Sequence, residues 1–353
     1  MEENPEVARR VASGDALFGT VDTYLIYRLT NCRVVATDAT NASRTLLFNI
    51  HRLTWDEDLC QWWGVPREAL PEIRPSDASF GETDFGGALR EPAPIRGVMG
   101  DSQAALFGHR CDQVGSGKVT LGTGASVMIN VGTAAPKGDL GTVAALAWVR
   151  AGQPTYAAEG IINSCASTLT WLRDQLGILA SVSESEGVCA QVKDDQTVYL
   201  VPAFSGLGAP YWRDSARAAI VGMSSHSDRR HIIKAALECI AFQLRDVLAM
   251  MARDTSVKID RIRVDGGTTS NAFLMQFIAD MLGMELLVAE QGDRAALGAA
   301  LMGASGLGME PLARGLATST EPQLSYRPRM ARAEADARYA GWRRAVEQVM
   351  VAS

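Results

Sequence analysis

Hydrophobic positions recur three or four residues apart in several stretches of the chain, which is the spacing of an amphipathic helix. The longest such stretch covers residues 228–251, and Asp228 stands where it can cap the helix. Shorter helices are predicted for residues 20–29 and 55–64, the second of them closed by a glycine. A polar connection and a last amphipathic helix are predicted beyond about residue 310.

From about residue 100 to about residue 304, short apolar runs rich in β-branched residues alternate with helical stretches. Residues 116–132 predict a strand hairpin that turns at Gly122 and Gly124. Residues 261–283 predict a strand, a tight glycine turn and a helix, and a second unit of this kind follows. Such alternation is typical of the α/β fold class.

Amino-acid composition and charge narrow the classes of protein to which this chain can belong. Of the 353 residues, 47% are apolar and 21% are charged, which is typical of a soluble protein of two domains. The formal net charge of -6 lacks the basic excess of a nucleic-acid binder, and no uninterrupted apolar stretch reaches membrane-spanning length. The polar N-terminus predicts a cytoplasmic protein. Six scattered cysteines without a C-x-x-C pair predict reduced thiols.

Three glycine turns are candidates for holding phosphates, because glycine lets backbone N–H groups approach anionic oxygens. They are LGTGAS (121–126), SGLGAP (205–210) and VDGGTTSN (264–271). Each alone is more often a simple tight turn, and the chain has neither a Walker A motif nor a G-x-G-x-x-G turn after a strand. The pattern predicts a nucleotide-binding fold that is neither a P-loop fold nor a Rossmann fold.

A single carboxylate, Asp101, lies within the apolar stretch GVMGDSQAALFG (97–108). Burying an unpaired charge is costly, so Asp101 is predicted to be a helix cap, half of an ion pair or part of a site. Capping of the helix that begins at Ser102 is compatible with a site, because a helix N-terminus stabilises the charged form of an acid.

Six stretches of the chain are informative when their order and spacing are considered together. They are GTVDTYLIYRLT (19–30), TDATNASRTLLFNIHRLTWD (37–56), GDSQAALFG (100–108), LGTGASVMINVG (121–132), VPAFSGLGAPYW (201–212) and VDGGTTSNAFLMQF (264–277). In this order and approximate spacing, over about residues 10–310, they resemble the glycerol kinases within the FGGY family of carbohydrate kinases.

This resemblance implies an α/β fold of the actin, hexokinase and Hsp70 type, with ATP and a polyol in the cleft between two ribonuclease-H-like domains. It divides the chain into the C-terminal part of domain I (1–111), the nucleotide-binding domain II (112–310) and a helical tail (311–353). Domain I is expected to be incomplete, because the family's first D-x-G-T-T phosphate loop and its Arg-Glu pair for glycerol find no counterpart.

The resemblance also implies roles for individual residues. Asp101 accepts the proton of the attacking hydroxyl and lies near the magnesium-bound phosphates. Thr123 approaches the terminal phosphates, Gly122 beside it is part of the nucleotide site, and Gly267 and Asn271 hold the adenosine. Apart from the family, the Asp-x-Gly-Thr-Thr turn that contains Gly267 is equally suited to hold phosphates, and this alternative stays open.

Four positions depart from the family's pattern. Ala166 and Thr170 stand where the family commonly has a glycine and a glutamine beside the nucleotide. Ser102 and Ser126 stand where glycerol kinases have the glutamine and the phenylalanine that contact glycerol, and Gln103 comes one residue late. Loss of the ring leaves room for water or a larger substrate, so strict glycerol specificity is not implied.

The function implied is ATP- and Mg²⁺-dependent phosphorylation of glycerol to glycerol 3-phosphate by a homo-oligomer that binds no nucleic acid. The chain alone is expected to be barely active and to need a missing N-terminal kinase segment as a partner. The alternatives are a non-catalytic nucleotide-binding or assembly module and a kinase for another polyol or sugar.

Overall fold

A computed structural model describes residues 3–192, 198–289, 293–309, 315 and 324–351. Its helices are α1 (Pro5–Ala12), α2 (Val21–Leu29), α3 (Ala39–Ala42), α4 (Glu57–Trp62), α5 (Asp101–Gly108), α6 (Ala166–Asp174), α7 (Ser185–Cys189), α8 (Arg229–Thr255), α9 (Ala272–Leu282), α10 (Arg294–Gly306) and α11 (Arg332–Val351). Its strands are β1 (Ala36–Asp38), β2 (Phe48–Asn49), β3 (Thr54–Trp55), β4 (Glu72–Arg74), β5 (Glu82–Thr83), β6 (Ala93–Pro94), β7 (Ser116–Leu121), β8 (Ala125–Gly132), β9 (Val143–Arg150), β10 (Gln153–Ile162), β11 (Tyr199–Val201), β12 (Ala219–Val221), β13 (Arg261–Asp265), β14 (Leu286–Val288) and β15 (Leu324–Tyr326). Short 3-10 helices span Arg67–Ala69, Val182–Glu184 and Gly267–Ser270.

A mixed sheet of seven strands organises the described part of the chain, in the order β15-β14-β13-β7-β8-β10-β9. β7, β13 and β14 run parallel, and the remaining neighbours pair antiparallel. The predicted hairpin over 116–132 is confirmed, because the chain reverses between Leu121 and Ala125. Both predicted strand-and-helix units are confirmed as β13 with α9 and β14 with α10. Residues 290–292, within the second unit, lie outside the described residues.

One face of the sheet is apolar and is covered by α8 and α9. Side chains alternate between the two faces of a strand, so Val119 and Leu121 of β7 point together into this core. Asp228 caps α8 as predicted, because its carboxylate accepts the N–H of Arg230 at 2.9 Å. The helix runs one turn beyond its predicted end and is 27 residues long. Among the described helices, none has both the length and the apolar character of a membrane span.

The opposite face of the sheet is covered by α5 and α10, which run antiparallel and touch through their backbones. A β-carbon on Gly108 of α5 would lie 2.2 Å from the carbonyl oxygen of Arg294. A β-carbon on Gly298 of α10 would lie 1.7 Å from the carbonyl oxygen of Ala104. Only glycine allows helices to approach this closely. The two helices therefore form one closely packed layer on this face of the sheet.

Residues 3–100 fold into short elements beside the β9–β10 edge of the sheet. β1 pairs parallel with β4, and the other short strands form the antiparallel pairs β2–β3 and β5–β6. Phe48 and Trp55 make an edge-to-face contact, with ring centroids 6.0 Å apart, and pack with Leu146 of β9 and Tyr156 of β10. The two short helices predicted in this region are confirmed as α2 and α4.

The predicted last helix is confirmed as α11, and a buried carboxylate holds it to α8. Asp246 of α8 is 3% exposed and accepts the hydroxyl of Tyr211 at 2.8 Å and the indole N–H of Trp342 at 2.7 Å. The hydroxyl of Tyr339 is its third donor. Burial raises the pKa of this carboxyl, and the three donors oppose that rise. Most of the predicted polar connection before α11 lies outside the described residues.

Replacement of Asp246 with leucine should lower the free energy of unfolding by about 3 kcal/mol or more, because three buried donors would lose their acceptor. Urea unfolding followed by tryptophan fluorescence measures this loss. The control is Glu57→Gln in α4, which removes an exposed ion pair with Arg67 and should change stability little. Similar losses in both variants would contradict the role assigned to Asp246.

Candidate active site

Two neighbouring cavities open at the C-terminal ends of β7 and β13. The smaller has a volume of about 310 Å³ and the larger a volume of about 640 Å³. Charged side chains dominate the smaller cavity, namely Asp101, Lys118, Asp265, Asp293 and Arg294. Glycines and apolar or small side chains dominate the larger one. The smaller cavity is therefore polar, and the larger cavity beside it is suited to a flat, largely apolar group.

The turn after β13 separates the two cavities. Asp265 and Gly266 line the smaller cavity, whereas Gly267 and Thr268 line the larger one. Gly266 has φ 103°, and a β-carbon on it would lie 2.2 Å from the carbonyl oxygen of Leu121. Only glycine fits at this contact. The turn therefore lies directly against the end of β7 and forms a wall that both cavities share.

Asp101 is the first residue of α5, and it is exposed to the smaller cavity. The hypothesis that it caps this helix is wrong, because Gly100 occupies the N-cap position. The carboxylate accepts the N–H of its neighbour Ser102 at 2.6 Å, within the first turn. Asp101 is thereby left with its carboxylate in the cavity, as the site hypothesis requires.

Charged residues lie in a row across the sheet beneath the smaller cavity. Lys118 of β7 lies opposite Met128 of β8, which lies opposite Glu159 of β10. Directly opposed residues share a face, so both charges point toward α5. Lys118 is 2% exposed. Burial lowers the pKa of its ammonium, and the negative charges of Asp265, Glu159 and Asp101 oppose that change.

A hydrogen bond joins α5 to β13 at the floor of the same cavity. Nε2 of His109 lies 2.7 Å from Oδ2 of Asp265, and the histidine side chain is 1% exposed. Burial lowers the pKa of His109, so the neutral ring donates its Nε2–H. Burial acts to raise the pKa of Asp265, but the bond from His109 and the charge of Lys118 help to hold it below its usual range. Asp265 therefore contributes an ionised carboxylate to this cavity.

The two serines predicted to contact the substrate lie on the side of the smaller cavity. Ser102 lines it. Ser126 of β8 pairs with Thr120 of β7, which also lines it, so the two side chains share a face of the sheet. Gln103 is 3% exposed and packs against Gly100, where a β-carbon would lie 2.6 Å from its side-chain oxygen. Gln103 therefore does not supply a glutamine amide to the cavity.

Five of the six residues predicted to bind the nucleotide line the larger cavity, namely Gly122, Thr123, Ala166, Gly267 and Asn271. The sixth, Thr170, lies one turn further along α6, and its hydroxyl donates to the carbonyl of Ala166 at 3.3 Å. The glycine turn and α6 meet because the carbonyl of Gly122 accepts the N–H of Ala166 at 3.1 Å. Nonlocal backbone bonds thus bring these residues together.

Sequence reasoning missed part of both cavity walls. Lys118 had a weak signal, because it is the lone charge in a strand of β-branched and apolar residues. Asp265 had a stronger one, since it begins the Asp-x-Gly-Thr-Thr turn that also fits a phosphate loop. Ser183 and Glu186 line the larger cavity from a segment that carries no recognisable motif. Only the folded chain places that segment beside the glycine turns.

Comparison with solved structures gives the class of this fold. The chain resembles the crystal structure of Plasmodium falciparum glycerol kinase with ADP, with a TM-score of 0.92 and 32% identity over 99% of this chain and 70% of that chain. A xylulose kinase from Rhodospirillum rubrum, 21% identical, shares the fold with a TM-score of 0.83 over 97% of this chain and 70% of that chain. The predicted actin- and hexokinase-like α/β fold is confirmed, and it is the fold of a phosphotransferase.

The family follows from two matches along the chain. Models of the N-terminal and C-terminal domains of the FGGY family of carbohydrate kinases match residues 1–108 and 117–307. The chain belongs to the FGGY family of carbohydrate kinases, as its motifs predicted. It is 43% identical to the glycerol kinase of Shewanella piezotolerans over 96% of this chain and 69% of that protein. It is 41% identical to the glycerol kinase of Desulfitobacterium hafniense over 99% of this chain and 71% of that protein.

The buried His109 should make stability depend on pH. Its pKa is lowered in the fold, so below about pH 7 the unfolded chain takes up a proton that the native chain does not, and the free energy of unfolding should fall toward pH 5. His109→Gln keeps a donor for Asp265 and cannot titrate, so its stability should fall less over this range. Urea unfolding at pH 5, 6 and 7 measures both slopes. Equal slopes would contradict a neutral, buried His109.

Proposed function

We propose that this chain transfers the terminal phosphate of ATP to a hydroxyl of glycerol or a similar polyol, forming glycerol 3-phosphate in the first case. The observation that carries the proposal is the wall shared by the two cavities. The end of β7 and the turn at 265–271 contribute to both. A nucleotide with its adenosine in the larger cavity therefore directs its phosphates toward the smaller one. Asp101 lies there, where the transfer would take place.

Asp101 is the proposed general base. Phosphoryl transfer depends on positioning and charge neutralisation, with a group that takes the proton of the attacking hydroxyl. The carboxylate of Asp101 takes this proton as the hydroxyl oxygen bonds to the terminal phosphorus and the bond to the ADP oxygen breaks. Lys118 and Arg294 line the same cavity and place positive charge beside the developing negative charge.

The residues present fit a magnesium ion held together with the nucleotide. Asp101, Asp265 and Asp293 all line one cavity, and Asp101 and Asp265 are the two carboxylates proposed to hold the ion. Within the described residues, no cluster of three or more His, Cys, Asp or Glu could hold a metal by itself. Mg²⁺ commonly takes one or two carboxylates, keeps several waters and binds substrate phosphates, so two carboxylates suffice. When bound, the ion neutralises phosphate charge.

The larger cavity is the proposed adenosine site. Gly267 and Asn271 line it, and so do Gly122 and Thr123, which follow the end of β7. Ala166 contributes to its wall, so the extra methyl group relative to glycine narrows the space for the base. The hydroxyl of Thr170 is bound to its own helix. A direct contact of Thr170 with the nucleotide is therefore the weakest of the six assignments.

The small side chains favour a second substrate class, a polyol or sugar longer than glycerol. Ser102 lines the smaller cavity, and the hydroxyl of Ser126 is buried on the same side of the sheet. Neither serine supplies a ring to pack against a three-carbon chain. A panel of polyols in the transfer assay decides between the two classes.

Three further expectations from the sequence stay predictions. They are the cytoplasmic location, the homo-oligomer and the division of the chain into residues 1–111, 112–310 and 311–353.

The central test measures transfer of labelled phosphate from ATP to glycerol, with Asp101→Asn as the variant. Turnover should fall about 100-fold or more, because an amide cannot accept the hydroxyl proton, while the KM for ATP should change less. The melting temperature should stay nearly the same, because Gly100 and not Asp101 occupies the N-cap position.

This test has two arms, the chain alone and the chain mixed with the part of the Shewanella piezotolerans relative that it does not match. Activity is expected mainly in the mixture. Nucleotide binding without polyol-dependent transfer in either arm would contradict the kinase proposal and support a non-catalytic module. Unchanged turnover in the variant would contradict the role of Asp101.

Valine at Gly267 should weaken ADP binding at least tenfold and leave the fold intact. A β-carbon there meets no atom within 4 Å, so the side chain projects into the open cavity. Titration calorimetry with ADP and Mg²⁺ measures the affinity. The control is Gly187→Val in α7, where a β-carbon also meets no atom within 4 Å. Equal affinities in the two variants would contradict the adenosine site.

A further inference from the structure

A fully buried carboxylate, Asp38, joins several parts of the N-terminal region. It is 0% exposed and lies where β1 meets α3. It accepts the backbone N–H groups of Thr40 at 3.0 Å and Asn41 at 2.9 Å, and the hydroxyl of Ser76 at 2.8 Å. Burial raises the pKa of this carboxyl, and the hydrogen bonds oppose that rise. A buried group held by this many donors has little freedom to move.

The hydroxyl of Thr40 extends this network to the start of α5. It donates its single proton to Asp38, whose two carboxylate oxygens lie 2.8 Å and 2.9 Å away. The same oxygen accepts the N–H of Gly100 at 2.8 Å, across 60 positions of sequence. Thr40 is 0% exposed, so bulk water does not compete for these bonds.

Gly100 is the residue on which α5 begins. Its carbonyl accepts the N–H of Ala104 at 2.8 Å, and its own N–H is the group that Thr40 holds. Both polar groups of this residue are thus bound, one by the helix and one by the Asp38 network. Asp101 follows directly in the chain. A shift of the backbone at Gly100 that moves Asp101 would have to break one of these two bonds.

We propose that Thr40 is a positioning residue for Asp101, because its hydroxyl links the buried Asp38 to the backbone on which the carboxylate of Asp101 stands. Its effect on catalysis rests on the proposed kinase function, whereas its hold on Gly100 does not. A general base must lie within hydrogen-bond reach of the hydroxyl it deprotonates, and misplacement by about 1 Å can lower the rate 100-fold.

Two variants of Thr40 separate the hydroxyl from the methyl group. Thr40→Val keeps the shape and loses the hydroxyl, and Thr40→Ser keeps the hydroxyl and loses the methyl. We expect Thr40→Val to speed hydrogen exchange of the Gly100 amide about tenfold, the effect of losing one buried hydrogen bond. Turnover should fall by about 10-fold to 100-fold with the KM for ATP unchanged. Thr40→Ser should restore both quantities.

The matched control is Thr37→Val. Thr37 is also buried, at 1% exposure. Its hydroxyl donates to Asp22 at 2.7 Å and lies 3.3 Å from the backbone carbonyl of Asp38, but it makes no bond to the Asp38 carboxylate or to Gly100. This variant should leave exchange at Gly100 and turnover as in the wild-type chain. Melting temperatures of all variants show whether each one is folded.

The outcomes separate this inference from the proposed function. Unchanged exchange at Gly100 in Thr40→Val would overturn the inference, whether or not the chain is a kinase. Faster exchange with unchanged turnover would overturn the positioning role. A wild-type chain that transfers no phosphate, alone or in the mixture, would contradict the kinase proposal, while exchange at Gly100 would still decide whether Thr40 holds this backbone. If Thr40→Ser did not restore the slow exchange of the Gly100 amide, the proposed role of the Thr40 hydroxyl in holding this amide would also be contradicted.

Discussion

The contact between the turn after β13 and the end of β7 is the constraint on which the site depends. A β-carbon on Gly266 would overlap the carbonyl of Leu121, at 2.2 Å, so the two backbones meet with no side chain between them. Because the contact is so close, the residues on either side of it face different cavities. Asp265 faces the charged chamber, and Gly267 faces the larger one. A single glycine thereby allows one turn to line both cavities.

The charges around the smaller cavity are placed on a sheet whose other face is apolar. Lys118 and Glu159 are nearly buried, and buried charges are stable only when they are paired or hydrogen-bonded. Lys118 donates to Thr120 at 3.0 Å, and Glu159 pairs with Arg44 at 2.8 Å. Replacing the charged row with apolar residues would be compatible with folding. The charged row therefore makes polar the side of the sheet on which Asp101 lies.

The sequence predicted most of the elements and only part of the site. The hairpin over 116–132 and the capped helix α8 were predicted correctly because their signals, glycine turns and apolar spacing, are local. Asp101 was placed in the site by its motif, but its interpretation as a cap was wrong. The start of α5 is set instead by Gly100, whose N–H is bound 60 positions away. The bond between His109 and Asp265 also had no local signal, because it joins residues 156 positions apart.

The site is built from two parts of the chain that are held by different interactions. The backbone before Asp101 is bound to the Asp38 network, whereas the glycine turns belong to the seven-stranded sheet. The distance between Asp101 and the glycine turns therefore depends on how firmly these parts are joined. Several contacts join them. They include the Arg44–Glu159 ion pair, the packing of Phe48 and Trp55 against β9 and β10, and the backbone contact of Gly108 with α10. The ion pair is half exposed on its arginine side and yields more easily than the glycine contact, which has no side chain to rearrange. The connection between the two parts therefore depends more on close packing than on this ion pair.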